Sequence, residues 1–152
     1  MLYKHEEIYK VIPSRYPLMF LDSLELGENY AIGRVVLKSD EWFFKCHYPG
    51  NPLLPVTLLI DSMAQTFIAI FLQKTDGSET PVTSSIIGHG GTSIKMRETA
   101  GPGDSIKIVA KLSSFRRGVA KGTCKAYKND VDVPICEIDL VEVLPSKMVL
   151  IP

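Results

Sequence analysis

Residues 42–65 read WFFKCHYPGNPLLPVTLLIDSMAQ, and the organisation of the whole chain can be worked out from this stretch. Its prolines at 49, 52 and 55 each lack an N–H and fix their own φ, so they exclude a regular helix or a central strand. After Pro55 no proline or glycine occurs before Gly77. The sequence therefore predicts an irregular loop and then a long helix, with Pro55 and Val56 near its first turn.

The predicted helix is apolar around nearly its whole circumference, so we expect it to be buried on most sides. Thr57, Asp61 and Gln65 occur at i, i+4 and i+8 and form one thin polar stripe. Burial raises the pKa of a lone carboxylate unless partners stabilise its charge. Asp61 is therefore either a structural hydrogen-bonding group or an acid held in a pocket, with His47 of the preceding loop as its companion.

The rest of the chain predicts a curved antiparallel sheet around this helix. A short amphipathic helix is expected at residues 3–11, before Pro13, and a polar surface loop at 74–80. The alternation of apolar and polar residues predicts strands at 18–26, 31–38, 82–97 (one strand or two, with a bend or bulge at glycines 88, 90 and 91), 106–115, 119–127 and 133–143. Together these elements predict an α+β fold, with residues 1–152 forming one domain.

Composition excludes several classes of function. The formal net charge of zero gives no reason to expect binding to nucleic acid or to a charged membrane surface. Three cysteines make no even disulfide framework and indicate a reducing compartment. No apolar run has the length of a membrane span and no signal-peptide pattern opens the chain, so we expect a cytoplasmic protein. His89 has no partner at metal-ligand spacing, which argues against a zinc site.

The motif F-F-x-x-H-Y-P-G-x-P-x-x-P, followed by Asp61 and then M-A-Q, resembles the beta-hydroxyacyl-acyl-carrier-protein dehydratases (FabZ/FabA-like) of the hotdog fold. The resemblance extends along the chain in the same order. Ile12, Pro13, Arg15, Tyr16, Pro17 and Asp22 resemble the family's N-terminal I-x-P-x-R-Y-P…D stretch, and residues 94–97 with Pro102, Gly103 and Asp104 resemble its K-F-R…P-G-D segment. The implied fold is a curved antiparallel sheet wrapped around a long central helix.

Three positions depart from the family pattern. Cys46 and Val56 stand where the family usually has glycine, and Asp61 matches the FabA-type branch, whereas the FabZ-type branch carries glutamate. Valine resists a φ above zero and would crowd a pocket that glycine leaves open. Val56 nevertheless retains its backbone N–H. We expect these changes to affect substrate shape and rate more than the type of reaction.

The resemblance implies dehydration of a (3R)-hydroxyacyl thioester carried on acyl carrier protein. His47 would remove the α-proton, since histidine titrates near working pH, and Asp61 would act as the acid for the departing hydroxyl. The Val56 N–H, at a helix N-terminus, would stabilise the negative charge on the thioester oxygen. Pro55, Gln65 and Tyr16 complete the predicted substrate site. Gln65 could orient Asp61 or could equally be a buried amide satisfied by backbone.

The resemblance also implies an oligomer and a carrier-bound substrate. The family pairs two sheets edge to edge. The implied homodimer would share active sites, with His47 and Asp61 of one site in different subunits. Members of the family often form a trimer of dimers. No metal or redox cofactor is implied, because the substrate arrives on a phosphopantetheine arm. A basic patch would suit an acidic carrier, although each candidate could instead be part of an ordinary solvated face; the candidates are Lys95, Arg97, Arg116, Arg117, Lys121 and Lys125.

Two other functions remain open from the sequence. A hotdog thioesterase would use Asp61 to activate water and release a free thiol. A non-catalytic acyl-binding subunit is also conceivable, because Val56 could narrow the pocket enough to permit binding without turnover. The presence of both His47 and Asp61 favours the dehydratase, either in fatty-acid biosynthesis or in a related polyketide or lipid pathway.

Overall fold

A computed structural model of the chain describes residues 1–72 and 88–143. Seven strands and one long α-helix make up most of this part, and short 3-10 helices cover His5–Lys10 and Trp42–Lys45. The long helix, α1, is Val56–Leu72; the strands are β1 (Leu2–Lys4), β2 (Ser23–Leu26), β3 (Tyr30–Val36), β4 (Gly88–Met96), β5 (Ser105–Arg116), β6 (Val119–Lys128) and β7 (Pro134–Val143).

The strands form one antiparallel sheet in the order β1-β2-β3-β5-β6-β7-β4. A two-residue turn connects β5 to β6, and a second two-residue turn reverses the chain after β6. Arg117 and Gly118 at the first turn both have positive φ, as have Asn129 and Asp130 at the second, which is the geometry that matches the right-handed twist of adjoining strands. Both turns were predicted at these residues. The α+β hotdog arrangement expected from the sequence is confirmed.

Helix α1 lies against the inner face of the sheet, on β3, β5 and β6. The inner face of β6 consists of small residues, since Ala120, Gly122, Cys124 and Ala126 alternate with exposed or half-exposed polar residues. Small side chains allow the helix to approach closely, and the ring of Phe67 occupies the space where a Cβ of Gly122 would stand. The expected burial of α1 on most sides is confirmed.

The N-terminal predictions need two corrections. Tyr3 belongs to β1, which pairs with β2, and only His5–Lys10 is helical, because Leu2–Lys4 gain backbone hydrogen bonds at the sheet edge. The second strand begins at Ser23 and not at Leu18. The backbone N–H groups of Leu18 and Met19 both donate to the carbonyl of Arg15, so this segment is a turn.

The glycine-rich part of β4 contains the predicted irregularity. Its register with β7 shifts between His89 and Gly91, as expected for a β-bulge. The polar loop at 74–80 and the first part of the strand predicted at 82–97 lie outside the described residues. In the two described ranges, no helix is both long and apolar enough to cross a membrane.

Candidate active site

The loop that carries His47 is held by its own backbone. It follows the 3-10 helix Trp42–Lys45, in which Phe43 and Phe44 are buried, and the N–H of His47 donates to the carbonyl of Phe43 at 2.9 Å. The N–H of Leu53 donates to the carbonyl of His47 at 2.8 Å. Buried aromatic side chains thus anchor one end of the loop, and a backbone bond across it fixes the histidine.

The ring of His47 has a defined tautomer in this setting. Its Nδ1 lies 3.0 Å from the carbonyl oxygen of Leu53. A carbonyl can only accept a hydrogen bond, so Nδ1 carries a proton, and in the neutral ring Nε2 therefore presents a lone pair. The ring is half-buried and stacks on Tyr48 with 4.1 Å between centroids. His47 is therefore arranged to accept a proton at Nε2.

Asp61 lies in the middle of a polar stripe that runs inward along α1. Thr57 at the first turn is exposed, Asp61 is half-buried and Gln65 is buried. Burial raises the pKa of Asp61 above its ordinary value, and the hydrogen bond from Gln65 opposes this shift without cancelling it. Asp61 thus has the property expected of a general acid, because its neutral form is favoured relative to an aspartate in water.

Gln65 is the polar neighbour of Asp61 on the next helical turn. Its Nε2 donates a hydrogen bond to Oδ2 of Asp61. Its other amide atom, Oε1, is buried without a hydrogen-bond partner among the residues that the structure describes. The first of the two roles considered for Gln65, orienting Asp61, agrees with this geometry, whereas satisfaction by backbone does not.

The N-terminus of α1 supplies free backbone donors. The N–H groups of Leu58 and Leu59 both donate to the carbonyl of Pro55, whereas those of Val56 and Thr57 have no acceptor within residues 1–72 and 88–143. Val56 does not have a positive φ, so its β-branched side chain causes no backbone strain. A partly exposed N–H at a helix N-terminus can stabilise negative charge.

Within the described part of the single chain, no hydrogen bond joins His47 and Asp61. In its described part, the only hydrogen bond of the His47 ring is to Leu53, and the only one of the Asp61 side chain is with Gln65. Asp61 lies instead on a face of α1 that the chain's own sheet leaves partly open, formed with Thr57, Ile60, Ala64 and Ile68. These positions fall within about 100° of one another around the helix axis.

Tyr16 lies at the surface beside the N-terminal helix. Its side chain is 65% exposed and lines a groove of about 320 Å³ together with residues of the N-terminal helix and of the segment 38–41. Phe67 and Phe71, in contrast, are fully buried. Their rings contact each other, and the ring of Phe71 also contacts that of Phe115. These two phenylalanines belong to the hydrophobic core.

The predicted basic residues lie on β4, at the end of β5, in the turn at Arg117 and on β6, together with Arg97 just after β4. A groove of about 620 Å³ on this part of the sheet is lined by Lys95, Lys111 and Lys125, but also by Glu137 and Asp139. Arg97 and Lys125 both form ion pairs with Glu137. Part of the positive charge of this face is therefore neutralised locally.

Comparison with known proteins agrees with this geometry. A family model described as FabA-like domain matches residues 12–137. The 3-hydroxyacyl-[acyl-carrier-protein] dehydratase FabZ of Lactococcus lactis subsp. lactis (strain IL1403) is 32% identical over 136 residues, which are 89% of this chain and 87% of the relative. The chain belongs to the FabA-like dehydratase family.

Two further matches extend over nearly the whole chain. The FabZ dehydratase of Roseiflexus sp. (strain RS-1) is 31% identical over 147 residues, covering 93% of this chain and 96% of the relative. Among solved structures, the dehydratase heterocomplex ApeI:P from Xenorhabdus doucetiae superposes with a TM-score of 0.75 over 92% of this chain and 91% of that chain, at 15% identity. At that identity the structural match shows a shared fold alone.

Sequence patterns missed one functional group of this FabA-like chain, the carbonyl of Leu53. This carbonyl determines which ring nitrogen of His47 carries the proton. A backbone carbonyl leaves no mark in residue type, so only the fold of the loop could reveal it. The P-L-L-P spacing signalled an irregular loop but not the direction of this peptide group.

Proposed function

We propose that this chain is a hydro-lyase that converts a (3R)-hydroxyacyl thioester on acyl carrier protein to the trans-2-enoyl thioester, in fatty-acid or related polyketide or lipid biosynthesis. Its relatives in Lactococcus and Roseiflexus carry the name 3-hydroxyacyl-[acyl-carrier-protein] dehydratase. The observation that carries the proposal is the complementary state of two groups: His47 presents a free Nε2, and burial favours the protonated form of Asp61.

The proposed reaction breaks a C–H and a C–O bond. Nε2 of His47 accepts the α-proton, and the electrons of the C–H bond move towards the thioester carbonyl, whose oxygen the N–H of Val56 stabilises. As the C2–C3 double bond forms, the 3-hydroxyl group leaves with a proton from Asp61, as water. His47 is then protonated and Asp61 ionised, and a net proton transfer from one to the other restores the starting state.

Each site is proposed to combine two subunits of a homodimer. In the sheet of the described residues, β4 is an edge strand that pairs only with β7, and Ile94 on it is 47% exposed. Pairing of β4 with β4 of a second copy would extend the sheet and satisfy this edge. The partly open face of α1 around Asp61 would then meet the second subunit and its His47. A trimer of such dimers is the assembly expected from the family resemblance.

The remaining parts of the proposal concern the surroundings of the reaction. The chemistry consists of proton transfers, so we propose no metal or redox cofactor, and the phosphopantetheine arm arrives with the acyl carrier protein. Four of the predicted basic residues form no ion pair in the described part of the chain and are the best-placed candidates for contact with an acidic carrier; they are Lys95, Arg116, Arg117 and Lys121. The three unpaired cysteines support a cytoplasmic location.

A turnover assay on a 3-hydroxyacyl thioester, followed by mass spectrometry, tests the function. The wild-type protein should remove water and leave the thioester intact. His47→Ala and Asp61→Asn should each lower turnover by about 10²- to 10⁴-fold, the usual contribution of a general acid or base. Asp132→Asn, which changes an exposed aspartate of the β6–β7 connection in the same way, is the matched control and should retain full activity.

The same assay distinguishes the two alternatives. Release of free thiol without loss of water would identify a thioesterase, in which Asp61 activates water. A wild-type protein that binds the carrier-linked substrate and leaves it unchanged would identify an acyl-binding subunit. Either outcome would contradict the proposed dehydration.

A further inference from the structure

Asp104 lies in the turn before β5 and uses both of its carboxylate oxygens. Oδ2 accepts a hydrogen bond from the backbone N–H of Gly101 at 2.8 Å, and Oδ1 accepts one from Nδ2 of Asn129 at 2.7 Å. The side chain of Asn129 in turn accepts the N–H of Ser105 at 2.8 Å. The carboxylate is thereby held between the turn and the β6–β7 connection.

The peptide group between Ala100 and Gly101 connects this carboxylate to the active-site loop. Its N–H is the donor to Asp104, and its carbonyl oxygen, that of Ala100, accepts the N–H of Leu54 at 2.7 Å. Ala100 is buried, and a Cβ on Gly101 would lie 3.2 Å from the carbonyl oxygen of Pro52. The loop therefore rests directly on this peptide group.

The peptide group between Leu53 and Leu54 makes the next connection. Its N–H, that of Leu54, donates to the carbonyl of Ala100. Its carbonyl oxygen, that of Leu53, lies 3.0 Å from Nδ1 of His47. A peptide group is planar, so anchoring its N–H fixes the direction of its carbonyl. From Asp104 to His47, one carboxylate, two peptide groups and one imidazole thus form a continuous row of hydrogen bonds.

We propose that Asp104 is a positioning residue for catalysis, which orients His47 through the peptide groups 100–101 and 53–54. This inference rests on the proposed role of His47 as the base. All the hydrogen bonds of the row donate in the same direction, from His47 towards the carboxylate, and aligned hydrogen bonds polarise one another. The negative charge of Asp104 therefore strengthens the acceptor at Leu53 and favours the tautomer with the proton on Nδ1.

The ionisation of Asp104 agrees with this role. Burial by itself would raise its pKa, but the hydrogen bonds from Gly101 and Asn129 and the charge of Lys128 outweigh burial and lower the pKa below the ordinary value. The carboxylate is thus charged at any pH at which a histidine base is neutral. Lys128 also donates to the carbonyl of Thr99 at 3.0 Å, which supports the same turn.

The test compares Asp104→Ala and Asp104→Asn with Asp132→Asn, the exposed control. Imidazole ¹⁵N NMR reports the tautomer of His47, whose signals are assigned by their loss in His47→Ala. Wild-type protein should show the proton on Nδ1, and Asp104→Ala should show a mixture of tautomers. The turnover number should fall about 10- to 100-fold with KM nearly unchanged, as expected when a catalytic group is misoriented. Asp104→Asn should lie between the two, because its amide oxygen accepts without a charge.

Urea unfolding separates positioning from folding. If Asp104→Ala is folded and the His47 tautomer and the turnover number both equal those of the wild type, the inference is wrong. Lower turnover with an unchanged tautomer also overturns it, since Asp104 would then act on the fold in general. If Asp104→Ala does not fold, Asp104→Asn provides the same two measurements, and wild-type values of both overturn the inference. A tautomer change in a protein whose wild type dehydrates no substrate would support the positioning role and refute the proposed function.

Discussion

The side chain of Gln65 donates a hydrogen bond to Oδ2 of Asp61 from one helical turn further along α1. This contact leaves Oδ1 as the Asp61 oxygen without a protein partner in the described part of the chain, and hence free to face a substrate. It also lowers the pKa of Asp61, whereas burial raises that pKa. Gln65 is therefore suited to set both the orientation and the protonation of the acid.

Replacement of Gln65 by leucine should impair the acid without removing it. Without the hydrogen bond that lowers it, the pKa of Asp61 should rise further, so the decline of activity at alkaline pH should begin at a higher pH. The turnover number should fall about tenfold, because the carboxyl group is no longer oriented. The dependence of kcat and of kcat/KM on pH measures both effects. An unchanged alkaline limb would show that Gln65 does not act on Asp61.

A mixture of two inactive variants should recover activity if each site combines two subunits. A dimer of one His47→Ala chain and one Asp61→Asn chain contains one site with both groups intact and one with neither. After unfolding and refolding together in equal amounts, half of the dimers are mixed, so about a quarter of the wild-type activity should return. Each variant refolded alone is the control. Failure to recover any activity in verified mixed dimers would mean that His47 and Asp61 act within one chain.

Val56→Pro should remove the proposed oxyanion donor while leaving the helix in place. Proline is well tolerated at the first helical position, where its missing N–H has no intrahelical acceptor. Loss of one such donor should lower the turnover number by about 10²- to 10³-fold. Val56→Ala shortens the side chain but keeps the N–H, so it should retain most of the activity. Circular dichroism verifies the helix, and equal activity of the two variants would assign the stabilisation to another donor.

Asp61→Asn should stabilise the protein at neutral pH. Burial raises the pKa of Asp61 in the folded chain, so ionisation is harder there than in the unfolded chain. The resulting loss of stability is absent at pH values below the ordinary pKa of aspartate. It is complete at pH values above the raised pKa of Asp61. Urea unfolding should therefore give a higher free energy of unfolding for Asp61→Asn at about pH 7 and no difference at about pH 3. The exposed control Asp132→Asn should show no comparable gain at neutral pH. A gain equal at both pH values would mean that ionisation of the buried carboxyl group is not its cause.

Gly122→Ala should destabilise the core. A Cβ at this position would lie 2.2 Å from the carbonyl oxygen of Lys111 and 2.3 Å from Cε2 of Phe67. The ring and the neighbouring strand must move to admit it, at a cost of about 1–3 kcal/mol. A Cβ on Gly91, in β4, would lie in open space, so Gly91→Ala is the control. Chemical denaturation of the two variants measures the difference, and equal stability would show that the core relaxes freely around Phe67.

The sequence by itself determined the order and type of most elements. The alternation of apolar and polar residues predicted the bounds of β5, β6 and β7 to within one or two residues. Turn-forming residues marked the connections between these strands, and the structure shows positive φ there. The apolar run after Pro55 predicted α1 because no breaker interrupts it. The errors fell at the N-terminus, where Leu2–Lys4 form a strand only because β2 offers an edge. Such pairing depends on a distant partner, and local residue preferences do not contain it.

The motif likewise determined which side chains to consider, since His47, Asp61 and Val56 could each be named from spacing and resemblance. Only the tertiary structure decided their state. The tautomer of His47 depends on the carbonyl of Leu53, which is directed by Ala100 and Asp104 about fifty residues later in the chain. The raised pKa of Asp61 depends on how deeply α1 is buried in the sheet. Both properties arise from groups that are close in space and remote in sequence, and the backbone atoms among them have no side-chain identity that a sequence could display.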